Sequence, residues 1–233
     1  MSMRGRPALR MLISAGATRE PIDPVRFLSN YSTGYMGARV ASEALRRGHR
    51  VRVISGPSHE PMPSGAQVVP VTEAREMERA LRRDAGRADV VIMAAAVSDF
   101  RPAHFSATKL QRRARLTLTL DATPDIIARL PRREGQLVVG FAVESHRVAP
   151  RAAAKLRAKR LDLLLAQRAN GAGAPFGRRP VEAWLVGRGT VTKLGRISKA
   201  GVARVLLDKI EALWYGDAQT HHRRVRAAQA RRR

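Results

Sequence analysis

Two periods of apolar and polar residues run along this chain, and they mark its elements. Short apolar runs at 11–15, 51–55 and 68–71 read as strands, the second stopped by Gly56-Pro57. The run 89–96 is apolar throughout after its first residue, the pattern of a parallel strand buried on both faces. Between these runs, Val40, Ala41, Ala44 and Leu45 fall at helical spacing within 38–47, which Gly48 closes, and a second helix is predicted from Glu73 to about Asp84. Strand and helix in alternation imply an α/β sheet with right-handed crossovers. Further on, the strict Leu/Thr alternation of 115–120 predicts a half-exposed strand, and a short helix is expected after Pro124-Asp125. A buried strand at 137–141, a helix at 149–160 and a strand at 161–166 follow. Residues 167–180 read as a loop, 181–186 and 189–194 as a closing hairpin, and 199–213 as a terminal helix. The expectation is one Rossmann-like α/β domain over 11–216, with a mostly parallel sheet, helices on both faces and a C-terminal hairpin extension. Basic, flexible termini at 1–10 and 217–233 would flank it.

Composition narrows the chemistry. Apolar residues make up 44% of the chain but aromatic ones only 4%, so the core must be aliphatic. The absence of cysteine excludes disulfides, thiolate zinc sites and a cysteine nucleophile. No apolar run is long enough to span a membrane, and no signal-peptide pattern opens the chain, so a cytoplasmic protein is expected. The net charge is +25, of which six arginines lie in 221–233 and three in 1–10. The rest is spread over the body, which favours phosphate-bearing partners of any kind. An RNA-binding arm at the C-terminus is one reading and a solvated terminus the blander, preferred one; aromatics for base stacking are few.

Ligands of open parallel sheets bind beyond the carboxyl ends of the strands. Three segments fall there. Residues 16–30 are too long and polar for a simple connection, and they lead into Ser32, Thr33, Gly34 and Gly37 at a helix start. Free N–H groups there can hold phosphate, although an N-cap and turn would look the same. The spacing matches neither a dinucleotide G-x-G-x-x-G nor a Walker loop. Next, Ala94-Ala95-Ala96-Val97-Ser98-Asp99 leaves room for a flat base, with Asp99 able to accept from ribose hydroxyls; close helix packing is the alternative. Lys109, with Arg112 and Arg113 close by, and Lys155 and Lys159 four apart, could neutralise a triphosphate or simply form a solvated face. No Ser-His-Asp set is legible, and the six histidines lack metal-ligand spacing.

Taken in order, these segments resemble the phosphopantothenoylcysteine synthetase family. The resemblance rests on Ser14 through Asn30, Ser32-x-Gly34-x-Met36-Gly37, Ala94 through Phe100, Thr123-Pro124-Asp125-Ile126, Val139-Gly140-Phe141-Ala142-x-Glu144 and Lys155-x3-Lys159-x2-Asp162, and covers roughly 11–213. It implies a ligase of coenzyme A synthesis that activates 4′-phosphopantothenate with CTP, or ATP, as an acyl-nucleotidylate and joins it to cysteine, with Mg2+ on the phosphates. In many bacteria the domain is fused behind a flavin-dependent decarboxylase; the resemblance does not reach that half, so no FMN is expected. By position, Asn30 would orient the acyl-nucleotidylate, Met93, Ala94 and Ala95 would line the base pocket, and Asp99 would hold the ribose. Lys109 would sit on a flap over the triphosphate. Pro124, Asp125, Ile126, Ile127, Phe141, Lys155 and Lys159 would complete the nucleotide site, and Ser32, Thr33, Gly34 and Gly37 would hold phosphate. The resemblance also implies a homodimer with its sheet extended across two chains, and allows a separate decarboxylase partner. It departs at Tyr35, where the family has lysine, at Gln111 in the flap, and at Gln167 and Arg168 after the strand at 161. A catalytically impaired binder of the same fold is the runner-up reading. A dinucleotide-dependent reductase lacks its glycine turn.

Overall fold

In the computed structural model, which describes residues 6–171 and 174–216, the apolar runs pair side by side. β1 (Arg10–Ala15) lies between β4 (Arg50–Ser55) and β6 (Val90–Met93), parallel to both. β5 (Gln67–Pro70) continues the sheet beyond β4; β9 (Leu137–Glu144) and β10 (Leu163–Arg168) continue it beyond β6, again in parallel. The hairpin of β11 (Val181–Gly187) and β12 (Thr190–Ile197) adds antiparallel to β10, which gives eight strands in the order β12-β11-β10-β9-β6-β1-β4-β5. The chain leaves β1 toward β4 and returns to its other side at β6. The loops beyond these two strands therefore diverge, and the crevice between them is where such sheets bind ligands.

Adjacent strand residues point to opposite faces, so the continuous apolar runs need cover on both. On one face, α1 (Tyr35–Arg46) and α5 (Lys199–Gly216) pack over Ile13, Val53, Ile92, Val139, Leu163 and Leu165. On the other, α2 (Ala74–Ala85) covers Leu12, Ile54 and Val91, and α4 (Val148–Ala158) covers Val138 and Leu164. The core is aliphatic, as the scarcity of aromatic residues demands, and the expected hairpin extension is present.

Three local expectations change. The segment 115–119 forms no strand: β8 (Leu120–Ala122) pairs with β7 (Phe100–Pro102), while Leu116, Leu118 and Leu120 stay exposed. Alternation marks a two-faced segment but does not supply a partner, and the described chain offers 115–119 a single bond, from the Ala103 N–H to Thr119 O (2.9 Å). The loop 16–30 contains a small hairpin of β2 (Arg19–Pro21) and β3 (Phe27–Ser29), too short to leave a periodic trace. The run 89–96 leaves the sheet after Met93, because its small residues turn toward the β1 loop. The basic tail and the first five residues lie outside the described residues. No helix among the described residues is long and apolar enough to cross a membrane.

A buried charge cluster fastens α1 to α5. Arg47 donates to Glu43 (2.8 Å) and Glu211 (3.0 Å), and it pairs with Asp208 (2.8 Å). The Leu9 N–H points at His49 Nδ1 (3.3 Å), so that nitrogen carries no proton and Nε2 donates to Glu211 (2.9 Å). Hydrogen bonds from Arg46, opposed by burial and reinforced by Arg47, hold the Glu43 carboxyl at about 2. A carboxyl depressed in the fold stabilises it above its ordinary value of 4.5 and ceases to do so as pH falls toward 2. Urea denaturation from pH 5 to pH 2 should therefore show the E43Q variant losing stability less steeply than wild type. At neutral pH, E211A should lose about 1–3 kcal/mol, since it leaves the buried His49 Nε2–H without its acceptor and takes one of three carboxylates from Arg47.

Candidate active site

The loops beyond β1 and β6 are tied together through one carbonyl. Ala96 O accepts from the Thr18 N–H (3.2 Å) and from Asn30 Nδ2 (3.1 Å), while the Ala96 N–H donates to Gly16 O (2.9 Å). Around this tie, the Ala95 N–H reaches Ser14 Oγ (3.1 Å) and the Ser98 N–H reaches Thr18 Oγ1 (2.9 Å). The Thr123 N–H donates to Asp99 O (2.9 Å), which brings the 123–127 segment to the same place. Polar residues of the β1 loop thus serve as backbone partners for the small residues after β6, whose side chains pack partly on the core and partly border open space.

That space is a cleft of about 390 Å³ above the strand ends. Its walls include Asn30, Ser32, Thr33, Met93, Ala94, Ala95, Asp99, Pro124, Asp125, Ile126, Ile127, Phe141, Lys155 and Lys159, all singled out from the sequence. Asp125 caps α3 (Ile126–Arg129) by accepting the Ala128 N–H (3.2 Å) and meets Lys159 Nζ (3.1 Å). Burial would raise the Asp125 carboxyl, but the Lys159 hydrogen bond and the α3 N–H groups hold it below the usual range. Lys155 has no ion pair among the described residues, so its charge is available to a ligand.

Three of the expected site residues stand elsewhere. Gly34 and Gly37 do not line the cleft. Gly34 takes φ 83 at the start of α1, where a side chain would strike Ser58, and Gly37 lies so close to β1 that a Cβ would sit 2.5 Å from that of Ala15. They act by letting α1 aim its first N–H groups over the strand ends. Lys109 is exposed on the segment 103–119, outside the cleft lining. That segment is docked on the β2–β3 hairpin: the Leu110 N–H donates to Asp23 Oδ2 (3.1 Å), and Arg26 donates to Leu110 O (3.0 Å).

The cleft also gathers residues the sequence reading passed over or noted only as departures. Gln167 and Tyr35 both line it. Arg39 and Arg178 lie over the Tyr35 ring, 5.2 Å and 5.7 Å from its centre, and Arg178 forks onto Glu60 (2.9 Å). Arg168 instead turns away to Glu182 (2.9 Å) and the Trp184 ring. Lys199, the first residue of α5, is buried in the cleft wall, and burial alone brings its amine down to about 8. The one sequence signal for it is a lysine at a helix start, against the helix dipole. Asp99 and Asp125 are the carboxylates of the lining, and the described residues contain no group of three or more metal-ligating side chains. A divalent ion here would therefore be held chiefly by the phosphates it arrives with.

The chain is similar to known proteins over most of its length. A family model described as the DNA/pantothenate metabolism flavoprotein C-terminal domain matches residues 7–213. The coenzyme A biosynthesis bifunctional protein CoaBC of Bacillus subtilis is 39% identical over 207 residues, covering 87% of this chain and 51% of that protein. The CoaBC protein of Mycobacterium tuberculosis is also 39% identical, over 216 residues, with 86% and 51% covered. The chain thus spans about half the length of these relatives. A crystal structure of the C-terminal domain of a CoaBC protein superposes with a TM-score of 0.76 at 34% identity, covering 90% of this chain and 97% of that one. A Cab2 mutant in complex with phosphopantothenate-cysteine shares the fold alone, with a TM-score of 0.69 at 17% identity and 91% and 89% covered.

Because Gly37 has no slack against Ala15, Gly37→Ala should displace the start of α1. We expect a stability loss of about 1–3 kcal/mol in urea denaturation. Weaker phosphate-ligand binding by calorimetry should accompany it, even under conditions where the variant is fully folded.

Proposed function

The chain belongs to the DNA/pantothenate metabolism flavoprotein C-terminal domain family, and we propose that it is a phosphopantothenate–cysteine ligase of coenzyme A biosynthesis. The observation that carries this reading is the pairing of two walls in one cleft. One wall has small residues, Asp99 and the Lys155/Lys159 pair, suited to a nucleotide; the other has the start of α1 with Ser32 and Thr33, suited to phosphate.

In this reading, a carboxylate oxygen of 4′-phosphopantothenate attacks the α-phosphorus of CTP. The new P–O bond makes an acyl-cytidylate, and the broken one releases pyrophosphate. The amine of cysteine then attacks the acyl carbon, CMP leaves, and an amide bond remains. Asn30, its Nδ2 occupied by Ala96 O, presents its Oδ1 to the cleft and orients the acyl-nucleotidylate. Asp99 accepts from the ribose, and Met93, Ala94 and Ala95 receive the base against Phe141. Lys155 and Lys159 neutralise the phosphates, while Lys109 arrives with its segment when the flap closes and stabilises charge on the departing pyrophosphate. Magnesium enters as the CTP complex. We assign the reaction to the cytoplasm, and a flavin-dependent decarboxylase is the expected consumer of the product.

Two observations bear on the remaining parts of this reading. The outward turn of Arg168 to Glu182 keeps its reversed charge out of the cleft, which favours an active enzyme over an impaired binder. Phe27, Phe100, Phe105, Leu116, Leu118 and Leu120 form an exposed apolar set around the two small hairpins. The alternating segment 115–118, which has no strand partner among the described residues and lies next to such a set, supports a homodimer in which it pairs with a second copy.

Pyrophosphate release with 4′-phosphopantothenate, cysteine and magnesium tests the activity. Release with CTP is expected; release with ATP alone would reassign the base pocket, and silence with both would leave a binder. Lys109→Gln should cut kcat by about a hundredfold without altering the melting temperature, and a fully active variant would remove the flap role. For assembly, light scattering should find a dimer, and Leu118→Asp should shift it to monomer; a wild-type monomer at micromolar concentration would overturn the dimer.

A further inference from the structure

At the opposite end of the sheet from the cleft, the starts of the strands enclose a second recess of about 240 Å³. β1 and β4 form its floor. Asp84, Arg87 and Ala88, where α2 ends and the chain turns toward β6, form one wall. Arg10 and Arg50 are register partners on the two strands, and Arg52 stands two residues on. All three side chains therefore leave the sheet on the face of Leu12, and Arg87 adds a fourth cation to the lining. Like charges side by side on a sheet are destabilising. Nothing in the proposed reaction uses them.

The carboxylates nearby do not balance this charge. Arg10 forks onto Asp89 (2.7 Å and 3.1 Å), which Arg133 also meets (2.9 Å). Arg52 donates to Asp84 (3.0 Å) and to Gln67 Oε1 (3.0 Å), and Arg83 shares Asp84 (3.2 Å). Arg50 and Arg87 have no ion pair among the described residues, so six guanidinium groups gather around two carboxylates. The carbonyl end of α2 would repel an anion, but hydrogen bonds already answer it. Asp84 O accepts the Arg87 N–H (3.1 Å), and Ala85 O accepts the Ala88 N–H (3.1 Å) and Gln136 Nε2 (2.7 Å). Guanidinium groups match phosphate oxygens in pairs, and the volume is that of about eight waters, room for two linked phosphates. We propose that this recess binds a diphosphate group, either free or carried on a nucleoside. Arg50 and Arg87 supply its unpaired cations, while Asp89 and Asp84 orient Arg10 and Arg52 toward it. The site is separate from the cleft and independent of the ligase reading.

Isothermal titration calorimetry of the full chain with pyrophosphate tests the site at fixed low salt. A second arm with ADP distinguishes the sources: tighter binding of ADP assigns the diphosphate of a nucleotide, and tighter binding of pyrophosphate the free ion. Because the cleft also attracts phosphates, the parent protein in both arms is the Lys155→Gln/Lys159→Gln variant. Adding Arg50→Gln/Arg87→Gln should weaken binding of the preferred probe about tenfold or more. Adding Arg75→Gln/Arg79→Gln instead, which removes the same charge from the exposed surface of α2 outside the recess, should leave it unchanged. Without anion, the Arg50/Arg87 variant should melt no lower than its parent, since it relieves repulsion between cations. A parent that binds neither probe at millimolar concentration would overturn the site, as would equal losses in the two double variants. A lower melting temperature for the Arg50/Arg87 variant would instead assign these arginines to the fold and overturn the proposal.

Discussion

The site depends on one carbonyl. Ala96 O accepts hydrogen bonds from both Thr18 and Asn30, so the loops leaving β1 and β6 are joined where the sheet topology would otherwise part them. A crevice at a topological switch point is a general property of such sheets; here it is closed at its floor and fixed in shape. The same contact holds Asn30 at the edge of the cleft by one end of its amide and leaves the other end for a ligand. Ser14 and Thr18 extend the tie to Ala95 and Ser98, which explains why polar residues alternate with small ones in these two loops.

Charge is then divided between two walls. The α3–α4 side carries Lys155 and the Lys159–Asp125 pair, while the α1–α5 side carries the start of α1, where Ser32 and Thr33 accept from the Gly34 and Tyr35 N–H groups, and the buried Lys199. At the far end of α1 and along α5, Arg47, Glu43, Glu211 and His49 lock these two helices together. The second wall is therefore a rigid body, and the close approach at Gly37 sets its height above β1. In the proposed ligase, positioning both substrates in this way lowers the entropic cost of bringing a carboxylate onto a phosphorus atom.

The departures from the family pattern acquire physical content once their contacts are known. Tyr35 supplies no charge itself, but its ring holds two guanidinium groups beside the start of α1, one of them anchored on Glu60. Positive charge is retained by a different route. Arg168 is neutralised by Glu182 on the hairpin extension, so the substitution changes the strand's outer face rather than the cleft.

Much of the molecule was written locally. Continuous apolar runs specify parallel strands, helical spacing specifies the helices between them, and the loops after β1 and β6 announced themselves by length and residue type. Fourteen of the residues that line the cleft were legible in this way, through spacing and resemblance together. Local pattern could not locate Lys109, because a flap's position depends on what it docks against, here Asp23 and Arg26 of another hairpin. It could not keep 115–119 in a strand either, since a strand needs a partner and alternation names none. Nor could it find Lys199, which lies far along the chain from every motif and reaches the cleft because α5 folds back beside α1. The sequence by itself determined the elements and the chemistry of the loops, because backbone periodicity and side-chain type are properties of neighbours in the chain. Tertiary structure alone decided which charges face one another across the cleft, because that follows from strand order and helix packing between residues far apart in the chain.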